Sequence, residues 1–153
     1  MTIRRRIKGK TLNEVRQYDV KADSSGRLNN NQTGTLCNAL AEGRKAFEQS
    51  SVYTDICSTK VSEREWFAID NEQIRQVEGV ILESFKDACI ILLNSAELND
   101  QQLLCILYMY LGYPNAVMAH LGHTTAATIR KRKERLRKKL NADLYNVIVN
   151  EKR

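Results

Sequence analysis

Apolar residues recur along the chain at intervals of three and four, the spacing that lines one face of an α-helix, and no alternating strand pattern or hairpin signal interrupts them. Leu36–Ser50 brings Leu36, Leu40 and Phe47 near one face of a first helix. Ser62 and Glu65 have the form of a capping box ahead of Trp66, and a helix from there carries Trp66, Ile69 and then Ile74 or Val77 inward. Val77–Leu93 continues the pattern through Val80, Ile81, Phe85, Ala88 and Leu92 to an end near Asn94-Ser95, with Gly79 as a break or a close helix contact. The pattern predicts an all-α fold, a helical bundle without strands.

Leu98–Leu140 divides into three further helices. Asn99 or Asp100 caps the first, whose stretch Leu103–Leu111 is almost wholly apolar and so needs cover nearly all round, with Trp66–Leu93 as the covering segment. Gly112 supplies the permissive backbone at its end, and Pro114 stands where a missing N–H is tolerated at the start of the next. Asn115–Leu121 makes a short helix with Val117, Met118 and Leu121 inward, and Gly122-His123 turns into the last helix, capped by Thr124 or Thr125. Helix, short helix, tight turn and basic helix follow the helix-turn-helix plan. Asn141 is placed to stop the last helix in a left-handed conformation, and Leu144, Val147 and Ile148 fit a short closing helix. Three parts result: 1–35, a basic N-terminal segment and linker; 36–95, a bracing helical region; and 96–153, a helix-turn-helix unit. In the first part, Leu12–Val20 can form a short helix and the polar run Asp23–Gly34 reads as a loop.

Charge sharpens the last helix. Eight of the twelve residues from Ile129 to Leu140 are Lys or Arg and one, Glu134, is acidic. The apolar residues there, Ile129, Leu136 and Leu140, share one face, which turns Ala127, Arg130, Lys131, Glu134 and Lys138 outward. The whole chain has a net charge of +6 and a pI near 9.2, with a second basic run at Arg4–Lys10, so polyanions are the natural partners. Cys37, Cys57, Cys89 and Cys105 are scattered without a C-x-x-C pair, which points to free thiols in a reducing cytoplasm. The longest apolar runs, Ala88–Leu93 and Leu103–Tyr113, are too short to span a bilayer, and no apolar segment backs the basic N-terminus as a secretory signal requires.

Leu98, Cys105-Ile106, Gly112, Met118-Ala119, Thr128-Ile129, Arg135-Leu136 and Lys139-Leu140 fall in one ungapped register. With these residues Leu98–Leu140 resembles the four-helix DNA-binding domain of LuxR/GerE-type regulators, and more loosely region 4 of sigma factors. The departure is Leu121-Gly122, one residue early against that family's Leu-Gly. Upstream, Phe47, Val52-Tyr53, Ser62, Trp66 and Phe85 look like the C-terminal end of large Bacteroidetes-type regulators. The resemblance implies base contacts from the exposed face of the last helix, at Ala127, Arg130, Lys131 and Glu134. It implies phosphate contacts from Thr124, Thr125, Thr128, Lys133, Arg135, Arg137 and Lys138. Glu134 has a second reading, an i,i+4 ion pair with Arg130 or Lys138. The expected activity is sequence-specific regulation of transcription on double-stranded DNA. RNA polymerase is a further candidate partner, as is a second copy of the chain docked through helix 143–149, whose apolar residues otherwise read as core.

Three other readings compete with this one. A membrane-surface helix is disfavoured because the seam holds three aliphatic residues and no aromatic one. An enzyme is disfavoured because His120 and His123 lack a completing Cys or acid cluster, and no phosphate loop or nucleophile elbow is present. No catalytic residue, metal or cofactor is therefore expected. An RNA-binding or sigma-like module, or a helical protein-interaction module, shares the charge and the helices.

Overall fold

The computed structural model describes residues 30–57, 62–140 and 142–150, and every regular element among them is helical. In chain order these are α1 (Asn30–Glu48), a π-helical turn (Tyr53–Cys57), α2 (Glu63–Ala68), α3 (Asn71–Ser84), α4 (Lys86–Ser95), α5 (Asp100–Leu111), α6 (Asn115–Leu121), α7 (Ala126–Lys139) and α8 (Ala142–Asn150). No helix among the described residues is long and apolar enough to cross a membrane.

Several boundaries differ from those the pattern predicts. The first helix begins at Asn30, so the end of the polar run Asp23–Gly34 is helical rather than loop; the rest of that run, Leu12–Val20 and Arg4–Lys10 lie outside the described residues. The helix expected to run from Ser62 through Val77 is two helices. Ser62 caps α2, its Oγ accepting from the Glu65 N–H at 3.3 Å. The chain then turns extended at Ile69, and Asp70 opens α3 with a reciprocal capping box, its carboxylate accepting from the Gln73 N–H while Gln73 Oε1 accepts from the Asp70 N–H. A second strong cap satisfies N–H groups that a continuous helix would have bonded internally, so the break costs little.

Gly79 is neither a break nor a close contact: it sits exposed inside α3, with nothing within 4 Å of a Cβ built there. The bend falls instead at Phe85, which ends α3 and starts α4 at φ −99°, ψ 23°. The glycine that permits close packing is Gly43 of α1, where a Cβ would overlap the Phe85 ring. Phe85 is fully buried and meets Tyr110 edge-on at 6.1 Å, tying α1, α4 and α5 at one point.

One apolar core runs from Leu36 to Ile148. α1 packs on α3, α4 and α8; α5 packs on α4, α7 and α8; and α2 packs on α6. Leu103 and Cys105 through Tyr110 are buried, which accounts for the apolar girth of α5. Trp66 is core, its ring 5.0 Å from that of Tyr113. Phe67 meets the His120 ring edge-on at 5.8 Å, and His120 Nε2 lies 3.1 Å from the Ile69 carbonyl oxygen, so α2 clamps α6 from outside. Leu144, Val147 and Ile148 of α8 are buried within the chain, as the core reading of that helix expects.

Candidate nucleic-acid interface

The surface of interest is built on α5, α6 and α7. Asn99 rather than Asp100 caps α5, through a capping box with Gln102. At its end Gly112 takes the left-handed conformation at φ 83°. The Gly112 N–H donates to the Met109 carbonyl at 3.0 Å and the Tyr113 N–H to the Tyr108 carbonyl at 3.1 Å, the two bonds of a Schellman motif. Pro114 then stands just outside α6, at φ −64°, ψ 155°. Val117, Met118, Ala119 and Leu121 of α6 are all buried, so both Val117 and Met118 face inward.

The turn from α6 to α7 repeats the same motif with an unusual residue. The His123 N–H donates to the His120 carbonyl at 3.3 Å and the Thr124 N–H to the Ala119 carbonyl at 2.9 Å. The left-handed position is therefore His123, at φ 53°, while its neighbour Gly122 has φ −94°. A glycine one residue later would occupy the position that favours it. Gly122 has its own reason: a Cβ there would meet the Met118 carbonyl oxygen at 3.3 Å and Arg132 Nη1 at 3.4 Å. The turn lies against the guanidinium of α7, and the closest neighbour of an added methyl would be the Met118 carbonyl.

Thr125, not Thr124, caps α7, its Oγ1 accepting from the Thr128 N–H at 3.2 Å and lying 3.1 Å from Thr128 Oγ1. Ile129, Leu136 and Leu140 are buried, as the seam predicts. Opposite them, Ala127, Arg130, Lys131, Glu134, Arg135, Arg137 and Lys138 are exposed, and Thr124 and Thr128 are half-buried. Among the described residues Arg130, Lys131, Glu134, Arg135 and Lys138 form no ion pair, so the i,i+4 pairing considered for Glu134 is not made. The helix ends at Leu140 in an extended conformation; Asn141, expected to stop it, lies outside the described residues.

Not every cation on α7 faces away. Lys133, expected at a phosphate, is half-buried and its Nζ donates to Asn115 Oδ1, tying α7 to the start of α6. Arg132 is half-buried beneath the turn. Both lie one helical turn after the buried Ile129, the spacing by which the sequence could have assigned them to the flanks of the seam. Arg137 holds its guanidinium over the Tyr145 ring of α8 at 5.4 Å, and Lys139 Nζ donates to Gln102 Oε1 at 3.3 Å. These contacts fix the long axis of α7 against α5, α6 and α8. Below the interface, burial pushes the Cys105 thiol up to about 11 despite the opposing pull of Lys133 and Arg132, so it is a core thiol, not a nucleophile. Among the described residues no group of three or more His, Cys, Asp or Glu is placed to hold a metal ion.

No family model, curated protein or solved structure matches the chain.

Proposed function

We propose that the chain is a sequence-specific, double-stranded DNA-binding regulator of transcription, with α5–α7 acting as a helix-turn-helix unit of the LuxR/GerE kind and α7 entering the major groove. The observation that carries this reading is the exposed face of α7. Ala127, Arg130, Lys131, Glu134 and Lys138 stand out from a helix whose opposite side is anchored in the core, and the charged ones have no ion-pair partner among the described residues. A helix with its side chains is about 10–12 Å across, against a major groove of about 12 Å. Ala127 keeps the first turn slim, so the backbone there can approach base edges closely. Arg130 has the fork to bond a guanine edge, and Glu134 can accept from a cytosine amine. Arg135 and Lys138, with Thr124, Thr125 and Thr128 near the helix start, are suited to phosphates, and such contacts supply salt-dependent affinity rather than sequence choice.

Selection of bound duplexes from random DNA tests the proposal, followed by salt titrations of three variants. Arg130→Ala should relax choice at one base position, by about 1–3 kcal/mol, with the salt slope nearly kept. Arg135→Ala should weaken every duplex alike and lower the slope by about one. If the combined change Arg130→Ala, Lys131→Ala and Lys138→Ala leaves affinity for selected duplexes intact, the proposed face is wrong. Selection that enriches no duplex, or preference for single-stranded RNA, sinks the reading altogether.

A further inference from the structure

Two lysines of α7 are held by neutral amides: Lys133 Nζ donates to Asn115 Oδ1 of α6, and Lys139 Nζ donates to Gln102 Oε1 of α5 at 3.3 Å. They flank the buried seam of Ile129, Leu136 and Leu140 on opposite sides. At about 100° per residue, Lys133 stands between the seam and the arc of Arg130 and Glu134, and Lys139 between the seam and Arg135. The two ties differ in strength. The Lys139 contact is exposed, whereas the Lys133 contact is partly buried, where water and salt screen it less. Its acceptor is also firmly placed. Asn115 is the first residue of α6, directly after Pro114, and α6 is seated by the buried Val117, Met118 and Leu121 and clamped by α2 through His120. The aliphatic seam presses α7 onto the core but is non-directional, so it leaves the roll of the helix soft. A charge-assisted hydrogen bond at one flank is directional and fixes that roll.

We infer that Asn115 is a positioning residue for base readout: through Lys133 it sets the roll of α7, and with it the reach of Arg130 and Glu134, without touching the nucleic acid. The inference rests on the DNA-binding reading above. It also gives Lys133 a role other than the phosphate contact that the resemblance implies, because its ammonium is directed at α6. Roll matters most at the base edges. A guanidinium that bonds a guanine edge bidentately needs both N–H groups in the plane of the base, whereas a lysine meets a phosphate as a point charge from many directions. The choice of an amide at position 115 fits the same role. An aspartate would hold the ammonium too, but it would set a carboxylate beside a helix that is to meet phosphates; an asparagine orders the lysine and adds no charge.

The full chain is compared with Asn115→Ala, Lys133→Met, the double variant and Asn115→Asp on three duplexes: the selected sequence, that sequence changed at the position read by Arg130, and unrelated DNA. Asn115→Ala should lower the preference at that position roughly fivefold, the low end of what a bidentate contact supplies. Its salt slope and its affinity for unrelated DNA should stay as they were. Lys133→Met should lose the same preference with its slope kept, and the double variant should lose no more than either single one, because both act through one contact. Asn115→Asp keeps an oxygen on the ammonium and should keep the preference. A partly unfolded variant binds every duplex more weakly by one factor, so the ratio between duplexes separates positioning from folding. A slope lowered by about one in either single variant marks a phosphate contact and overturns the inference. Undiminished preference in Asn115→Ala on a selected duplex overturns this inference alone, whereas failure to select any duplex overturns the DNA-binding reading and this inference with it.

Discussion

Gly43 and Gly79 both lie inside helices, yet replacing them by alanine should have opposite effects. At Gly43 the added methyl group overlaps the buried Phe85 ring, and overpacking of this kind costs about 1–3 kcal/mol. At Gly79 the methyl enters open space and removes the glycine penalty, so Gly79→Ala should stabilise by about 0.5–1 kcal/mol. Urea unfolding of the two variants against the parent chain measures both. The sequence singles out Gly79 and passes over Gly43, because the Phe85 ring that decides the matter is far from Gly43 in the chain. The buried thiols have a pH signature. Burial is the main cause that pushes Cys57 and Cys89 up to about 12 and Cys105 to about 11, from 9.0. Between about pH 9 and those values the unfolded chain has released protons that the folded chain still holds. Stability is therefore level below about pH 8 and falls above pH 9, each thiol adding a slope of up to about 1.4 kcal/mol per pH unit. Urea unfolding from pH 7 to pH 10.5 reads this directly, and a level profile across that range would show that the thiols are not sealed.

At the scale of elements, the legible parts were those set by local chemistry. Gly112, Pro114 and the apolar residues of Asn115–Leu121 define α6 at both ends, and the seam of α7 is buried as its spacing requires. The missed boundaries have a common cause. Apolar periodicity continues across Ile69-Asp70 and across Phe85, because residues on both sides of each joint face the same core, and periodicity reports the face, not the continuity of the helix. Asp70 with Gln73 was the available signal for the first joint; Phe85 offers none. The α6–α7 turn shows the same limit. An early glycine was visible, but not that His123, one residue later, takes the left-handed position while Gly122 lies close to the Met118 carbonyl and the Arg132 guanidinium. A residue with a Cβ pays for that conformation, so His123→Gly should raise stability by about 1 kcal/mol. Thermal or urea unfolding tests this, and a loss of stability would mean that the imidazole contributes more than the strain removes.

At the scale of the molecule, one continuous apolar core joins α1–α4 and α8 to α5–α7. A second copy docking through helix 143–149 could not use Leu144, Val147 or Ile148, which are already covered; among the described side chains there, exposed Asn146 and half-buried Tyr145 and Val149 remain. The crowd of exposed cations on α7 has a consequence for the free protein. Folding brings Arg130, Lys131, Arg135 and Lys138 onto one rod with few acids to offset them, and that self-repulsion is relieved by mobile anions. Adding sodium chloride between roughly 0.02 and 0.3 M should therefore raise the melting temperature of the chain alone and lower that of its complex with a selected duplex, since counterions compete for the same contacts. One titrant would then act with opposite signs on the two states, and the salt concentration at which their melting curves converge would mark where the nucleic acid ceases to be the better counterion.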